Sequence, residues 1–378
     1  MGNKVKITRN SRYAPIRYEA TRPYAMRLGK LHMTEAKKGA ARRMAFVQKD
    51  LPPLLVREIQ QLGKPPGPGP GQAEIANVQI YGGYQDGGRI IFDVRHELSR
   101  SLLATDSTEI PCEAVIFPTR SFYLHFGPGT GLRENGMEIE GAFVQHLVED
   151  KAMLIDLVPV GAFSYKAFWQ LPMGEQMTGA RVELDNPSES VSAALDRSID
   201  DVMTRNRAIF DQIAQMERQL TEQYGEVVKV PSPVENLADK RQLLHSALQL
   251  VLNTLFFLVA EPEDVQEDWE KEAPAEVVAQ LHSEKFGTRK TAENNLANQG
   301  YVRVRFVGRH YAESAEAKAV SEAMGSGRTM PTHLRRGHFR NQPYGPERAL
   351  RKTVFIAPVV VNAGKSEPAG RIYDTSRS

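Results

Sequence analysis

The stretch that most constrains this chain is the apolar run Leu243–Ala260, LLHSALQLVLNTLFFLVA, within a helix expected from Leu237 to about Val259. A helix that is apolar on nearly every side cannot lie at a surface, so this one must cross a sheet or sit between other helices. His245, Ser246, Gln249, Asn253 and Thr254 interrupt the run, which therefore reads as a buried core helix and not a bilayer span. With 378 residues the chain can build the body that such a helix needs. A second long helix precedes it. Asn186-Pro187-Ser188-Glu189 joins a capping Asn, a Pro for the first helical position and a first-turn acid, and the helix is expected to reach about Gln223. Ile199, Val202, Met203, Ile209, Ile213, Met216 and Leu220 keep near-helical spacing, so its apolar stripe, methionines included, is assigned to the core.

Around these helices the pattern changes to period 2. Arg89–Val94, Glu113–Phe117, Ser121–Phe126, Met137–Val144, Met153–Val160 and Tyr301–Gly308 read as strands, and His96–Ala104 and Ser314–Gly327 as helices. The expected fold is α+β: a largely antiparallel sheet packed with long helices, preceded by a basic N-terminal arm. That arm covers residues 1–63, with a helix over 34–49 opened by Thr34, a stop at Leu51-Pro52-Pro53 and a short helix over 54–62. The tract KPPGPGPG falls in a linker, 64–72, because its prolines and glycines break both helix and sheet. The main domain is 73–378, divided into a sheet over 73–180, a helical middle over 186–260, and C-terminal strands with a basic hairpin over 299–362.

The net charge of +2 conceals an asymmetry. Met1–Lys49 carries thirteen Lys and Arg against Glu19 and Glu35, whereas Glu261–Glu272 is strongly acidic. Basic ends on an acidic body suit either a polyanionic partner or docking of the ends on the body itself. Tyr13, Tyr18 and Tyr24, interleaved with arginines, fit either an RNA-stacking segment or a loosely docked arm. A lone Cys112 excludes an intrachain disulfide, and the first thirty residues lack an apolar signal segment, so a cytoplasmic protein with no membrane role is expected.

The most chemically loaded passage is Thr329–Val361. His333, Arg335, Arg336, His338, Arg340, Arg348, Arg351 and Lys352 surround a turn placed at Gln342-Pro343-Tyr344-Gly345-Pro346, and Val354, Ile356, Val359 and Val361 follow. It reads as a basic β-hairpin with an apolar anchor. Alternation sends His333 and His338 to opposite faces, which excludes them as a metal pair. His338 between Arg336 and Arg340 could alternatively serve as a general base on RNA, since flanking cations favour its neutral form. Binding is preferred over catalysis, and neither a metal nor a cofactor is expected. FGPGTG, Phe126–Gly131, lacks the Lys-Ser/Thr of a phosphate loop and is a turn. Glu138 and Glu140 alternate on a strand without a partner motif, and no nucleophile elbow or zinc-binding His-Glu-x-x-His pattern occurs.

His333–Asn362, with its His-x-Arg-Arg-Gly-His-Phe-Arg opening, Gly345 in the turn and an apolar strand reaching Pro358, resembles the C-terminal signature of type V-A anti-CRISPR proteins that suppress production of the effector nuclease. The resemblance implies recognition of the nascent effector polypeptide or its translating ribosome, with loss of the encoding messenger RNA. His333, Arg335, Arg336, His338, Arg340, Tyr344 and Arg348 are the binding candidates that follow from the hairpin and the resemblance together.

Overall fold

The structure, a computed structural model of the chain, describes residues 11–62, 72–163, 177–227, 237–314 and 334–360. It opens with helices α1 (Ala14–Thr21), α2 (Ala25–Ala36) and α3 (Ala40–Ala45). A π turn at Phe46–Asp50 runs on into α4 (Leu51–Gln61), and α5 (Gln72–Asp86) follows. Pro52 and Pro53 lie in the first turn of α4, where a missing N–H costs nothing, so they start a helix instead of ending one. Thr34 lies inside α2, its hydroxyl donating to the Lys30 carbonyl at 2.8 Å, and caps nothing. The Pro/Gly linker lies outside the described residues except for Gln72, which begins α5.

Next come β1 (Ile90–Val94), α6 (His96–Leu103), β2 (Thr105–Asp106), β3 (Ser121–His125), β4 (Arg133–Glu134), β5 (Met137–Leu147), β6 (Ala152–Pro159) and β7 (Thr178–Glu183). Two long helices follow, α7 (Val191–Tyr224) and α8 (Leu237–Ala260). Then β8 (Val265–Trp269), α9 (Ala275–Gln280), α10 (Phe286–Asn298), β9 (Arg303–Val307) and α11 (Arg309–Glu313) complete the body. The last described elements are β10 (Leu334–Arg335), β11 (Gly337–Tyr344), β12 (Leu350–Ile356) and β13 (Val359–Val360). The fold is α+β, as its patterning indicates. Of the helix expected at Ser314–Gly327, everything beyond Ser314 lies outside the described residues.

The principal sheet runs β7-β6-β5-β3-β1-β9-β8, with β4 beside β5. Most of its pairings are antiparallel, but the central β1 is parallel to both β3 and β9. Alternation gives the sheet two buried faces. Phe92, Val94, Phe122, Leu124, Val144 and Ile155 pack under α6, α8 and the first half of α7. Ile91, Tyr123, Phe143, Val304 and Phe306 point the other way, against α1 and α5. Glu113–Phe117 is not a strand. The amides of Cys112 and Glu113 donate to Glu189 O and Pro187 O at 2.8 and 3.1 Å, tying this segment to the entry of α7 instead of to the sheet. The cap of α7 is Ser190, whose hydroxyl accepts from the Ala193 amide at 3.3 Å, four residues later than Asn186.

Helix α8 is long and apolar enough, by length and composition, to cross a membrane, yet 72% of its apolar window is buried inside the protein. Its polar interruptions hold neighbouring elements in the core. The Asn253 amide donates to Leu102 O at 2.8 Å and to Thr105 O at 2.9 Å, fixing the end of α6 and the short β2.

The described part of the basic arm is neither loose nor free to stack on RNA. Tyr13, Tyr18 and Tyr24 are fully buried. Tyr13 Oη donates to Asp93 at 2.8 Å, and the hydroxyls of Tyr18 and Tyr24 both donate to Glu74, at 3.0 and 2.8 Å. Arg17 is buried with Glu140 and donates to the carbonyls of Ala162 (2.8 Å), Ser11 (3.1 Å) and Arg12 (2.7 Å). Glu19 takes Arg89 at 2.6 Å and the Tyr81 hydroxyl at 2.5 Å. The charges of Arg12, Arg17 and Arg22 are thus met by Asp93, Glu140 and Glu74, far away in sequence. The acidic tract Glu261–Glu272 likewise holds an edge strand, β8, whose Glu267 pairs with Arg303 and Arg305 of β9 at 3.3 and 3.5 Å.

Candidate functional site

The basic hairpin forms, with a displaced turn. β11 and β12 pair from His338↔Ile356 to Tyr344↔Leu350, so Gln342, Pro343 and Tyr344 are strand residues and the reversal occupies Gly345–Ala349. Gly345 (φ 77°), Glu347 (φ 53°) and Arg348 (φ 58°) take left-handed backbone to make it. Pro343 is tolerated because β2 pairs with β11 only at Gly337 and His338, leaving the rest of that edge without a ladder.

Period-2 alternation divides the hairpin cleanly. Gly337, Phe339 and Thr353 are buried; the Phe339 and Phe355 rings pack at a tilt with centres 5.1 Å apart, Phe339 against Phe256 of α8 at 5.5 Å and Phe355 edge-on to Phe257 at 5.4 Å. Gly337 has no room for a side chain: a Cβ there would stand 2.7 Å from both Pro358 and the Thr105 hydroxyl. His338, Arg340, Gln342 and Tyr344 face outward beside Ile356, Val354, Lys352 and Leu350 on β12. This surface mixes fixed cations with uncovered apolar groups, Tyr344 and Leu350 being about half exposed.

Arg335 lies in β10 opposite Val359, and Arg336 is exposed between β10 and β11. Arg348 is exposed in the turn, and His338 is half-buried. His333 lies outside the described residues. Among the described residues, no carboxylate forms an ion pair with Arg335, Arg336, Arg340 or Arg348. The structure therefore brings Arg340, His338 and Tyr344 onto one face and places Arg335, Arg336 and Arg348 around its rim.

A second feature was not singled out by sequence reasoning. In a sheet with parallel strands, ligands favour the crevice beyond the strands' carboxyl ends. Here the ends of β1 and β3 open into a cavity of about 430 Å³ lined by Arg12, Asp93, Arg95, His96, Gly127 and Lys271. Burial raises the Asp93 carboxyl pKa, against the pull of Arg12 and the Tyr13 hydroxyl. Burial and then Arg95 hold the Lys271 ammonium below the usual lysine range. Burial also lowers His96, and pushes the neighbouring His125 down to about 3, so that its ring is neutral. Arg309 joins this edge through α11, with its guanidinium 4.3 Å from the Phe306 ring centre. Asp264 caps that helix, accepting from the amides of His310 and Tyr311 at 2.8 and 3.0 Å. Tyr311, two residues from Arg309, packs on Phe355 of the hairpin at 5.7 Å. Crevice and hairpin thus lie at the two ends of α6 and are bridged by α11. The Phe126–Gly131 turn, read from the sequence only as a turn, contributes to its wall, and parallel pairing of β1 with β3 and β9 has no local signature.

Among the described residues no cluster of three or more His, Cys, Asp or Glu could hold a metal ion. Burial pushes the Cys112 thiol up to about 11, away from thiolate chemistry.

A search of curated proteins gives no match to this chain. A solved structure titled "Crystal structure of AcrVA2" aligns over 77% of each chain at 12% identity, with a TM-score of 0.35. The sequence model of the AcrVA2-like family matches residues 92–363, from β1 through the hairpin. The chain belongs to that family, anti-CRISPR type V subtype A2.

Proposed function

We propose that this anti-CRISPR protein lowers production of a type V-A effector nuclease by engaging its nascent polypeptide on the translating ribosome, leading to loss of the messenger RNA. The observation that carries this reading is the outward hairpin face, where Arg340 and His338 alternate with Gln342 and Tyr344 beside Lys352, with Arg335, Arg336 and Arg348 at its rim. Arg335, Arg336, Arg340 and Arg348, which form no ion pair among the described residues, suit salt-dependent phosphate binding, and adjacent exposed aromatic and aliphatic groups add stacking and apolar contact. The crevice at the ends of β1 and β3, lined by charges of both signs, is the concave place for a short peptide segment. The protein acts in the cytoplasm, where the translating ribosome is. In the described part of the basic arm, Arg17 and Arg22 are paired inside with Glu140 and Glu74, while Lys30, Arg43 and Lys49 are exposed.

Pull-down from cells translating the effector, with and without RNase, tests the reading. Retention of ribosomes and effector message that is lost on RNase treatment, together with retained effector peptide, is the expected result. Message retained without any effector peptide would favour a plain RNA-binding protein. Cleavage of purified RNA that His338→Ala abolishes would replace the binding account with a ribonuclease.

A further inference from the structure

The far half of α7 is a helix without a body. Arg241 near the start of α8 pairs with Asp200 of α7 at 2.7 Å, which sets the level where the two helices stop running side by side. Val191, Ala194, Leu195, Ser198, Ile199 and Val202 are buried, and no residue from Thr204 to Tyr224 is. At 1.5 Å per residue that segment extends roughly 32 Å. Isolated helices of this length are marginal in water unless an apolar face is packed.

The face it leaves uncovered is ordered. With Ile199 as position a of a heptad, a falls at Ile199, Asn206, Ile213 and Leu220, and d at Val202, Ile209, Met216 and Gln223. The register that buries Ile199 and Val202 in the body therefore continues unbroken into solvent, where Ile209 is 40% and Met216 50% exposed. The charged residues Arg205, Arg207, Asp211, Glu217, Arg218 and Glu222 all fall off the a and d positions. Phe210, at position e and 37% exposed, widens the stripe beside Ile209 and Ile213, and an apolar repeat carried on a and d is the seam of a coiled coil.

We propose that residues 204–224 of α7 dock with the same segment of a second copy of this chain. Asn206 selects this occupant. An Asn at position a is costly against an apolar surface and is satisfied by a polar residue at the matching level, which a second copy supplies from its own Asn206 or Gln223. The stripe also fits a partner of its own size. About 32 Å by about 10 Å of helix face buries a few hundred Å² per copy, on the order of half the ~800 Å² per partner of a standard interface, so association is concentration-dependent and not obligate.

Sedimentation equilibrium of the full chain, from about 5 to about 200 µM to bracket the affinities expected of a small interface, tests this. The mass should climb from 42.2 kDa toward twice that value. Ile209→Glu/Met216→Glu should hold it at the monomer value throughout with an unchanged far-ultraviolet spectrum, since both side chains already face water. Asn206→Leu should move the transition to at least about tenfold lower concentration or raise the order of the assembly, the known effect of removing a polar a residue. A wild-type chain that stays monomeric over the whole range overturns the proposal, and so does an association that the double substitution leaves intact.

Discussion

Replacing Arg17 tests whether the N-terminal helices belong to the body. Its guanidinium pairs with Glu140 and donates to three carbonyls, and both charged side chains are about 94% buried, given 6% exposure of each. Removing one member of a buried pair leaves the other charge uncompensated, which typically costs about 3–5 kcal/mol. That is a large part of the roughly 5–15 kcal/mol by which a domain is stable. Arg17→Met should therefore lower unfolding free energy by about 3–5 kcal/mol in urea titration, with an unchanged m-value. Arg17→Met/Glu140→Leu should recover most of the loss, because no unpaired charge remains. The pH dependence follows from Glu140, whose carboxyl burial raises while Arg17 lowers it. Without Arg17 the folded carboxyl rises further, so the deficit grows as pH climbs through it and shrinks on acidification. A loss of less than about 1 kcal/mol, or a double variant no better than the single one, would refute the buried-pair reasoning.

Further outcomes follow from other places in the fold. Asn253→Leu should cost about 1–3 kcal/mol by stripping donors from Leu102 O and Thr105 O, measured by urea titration, and should speed proteolysis of the hairpin that β2 supports. Gly141→Ala should be severely destabilising, since its Cβ would stand 2.3 Å from Leu124 O; failure to lower the thermal midpoint would contradict the register of β3 and β5. Burial depresses His125 to about 3, so its contribution to stability is full above its ordinary pKa of 6.5 and drains away as pH falls toward about 3. The stability difference between wild type and His125→Phe should accordingly become less favourable to wild type by about 2 kcal/mol between pH 7 and pH 5, read by urea titration. If ribosome or RNA association is found, Arg340→Ala should weaken it and reduce the slope of log affinity against log salt by roughly 0.7–0.9 for each phosphate that the guanidinium neutralises in the wild type.

Local pattern carried much of this fold. The all-round apolar α8, the strands β1, β3, β5, β6 and β9, helix α6 and the inward Phe339 of the hairpin each follow from periodicity that survives in the folded chain. Partners remote in sequence were invisible. The Tyr and Arg residues of α1 and its flanks read as either an RNA-stacking segment or a loosely docked arm because Asp93, Glu140, Glu74 and Glu19's partner Arg89 reveal themselves only in three dimensions. The same limit hid the crevice, which exists because β1 lies between two parallel neighbours. Periodicity also misassigned the end of α7: an apolar stripe has one signature whether its own core or another molecule covers it. At the hairpin, Pro343 and Gly345 mark a turn by composition, but the unpaired edge of β11 lets the proline remain in the strand.

The most direct test of the functional account is the effector's message level in cells carrying the wild-type protein or an Arg336→Ala/Arg340→Ala/Lys352→Ala variant. Each would be measured against an effector gene whose opening codons are synonymously recoded and against one whose opening peptide is changed by compensated frameshifts. The account predicts that wild type lowers the message of the recoded gene, spares the frameshifted one, and loses its effect when the three cations are removed at equal protein abundance. An equal reduction of all messages, or a triple variant as active as wild type, would contradict it.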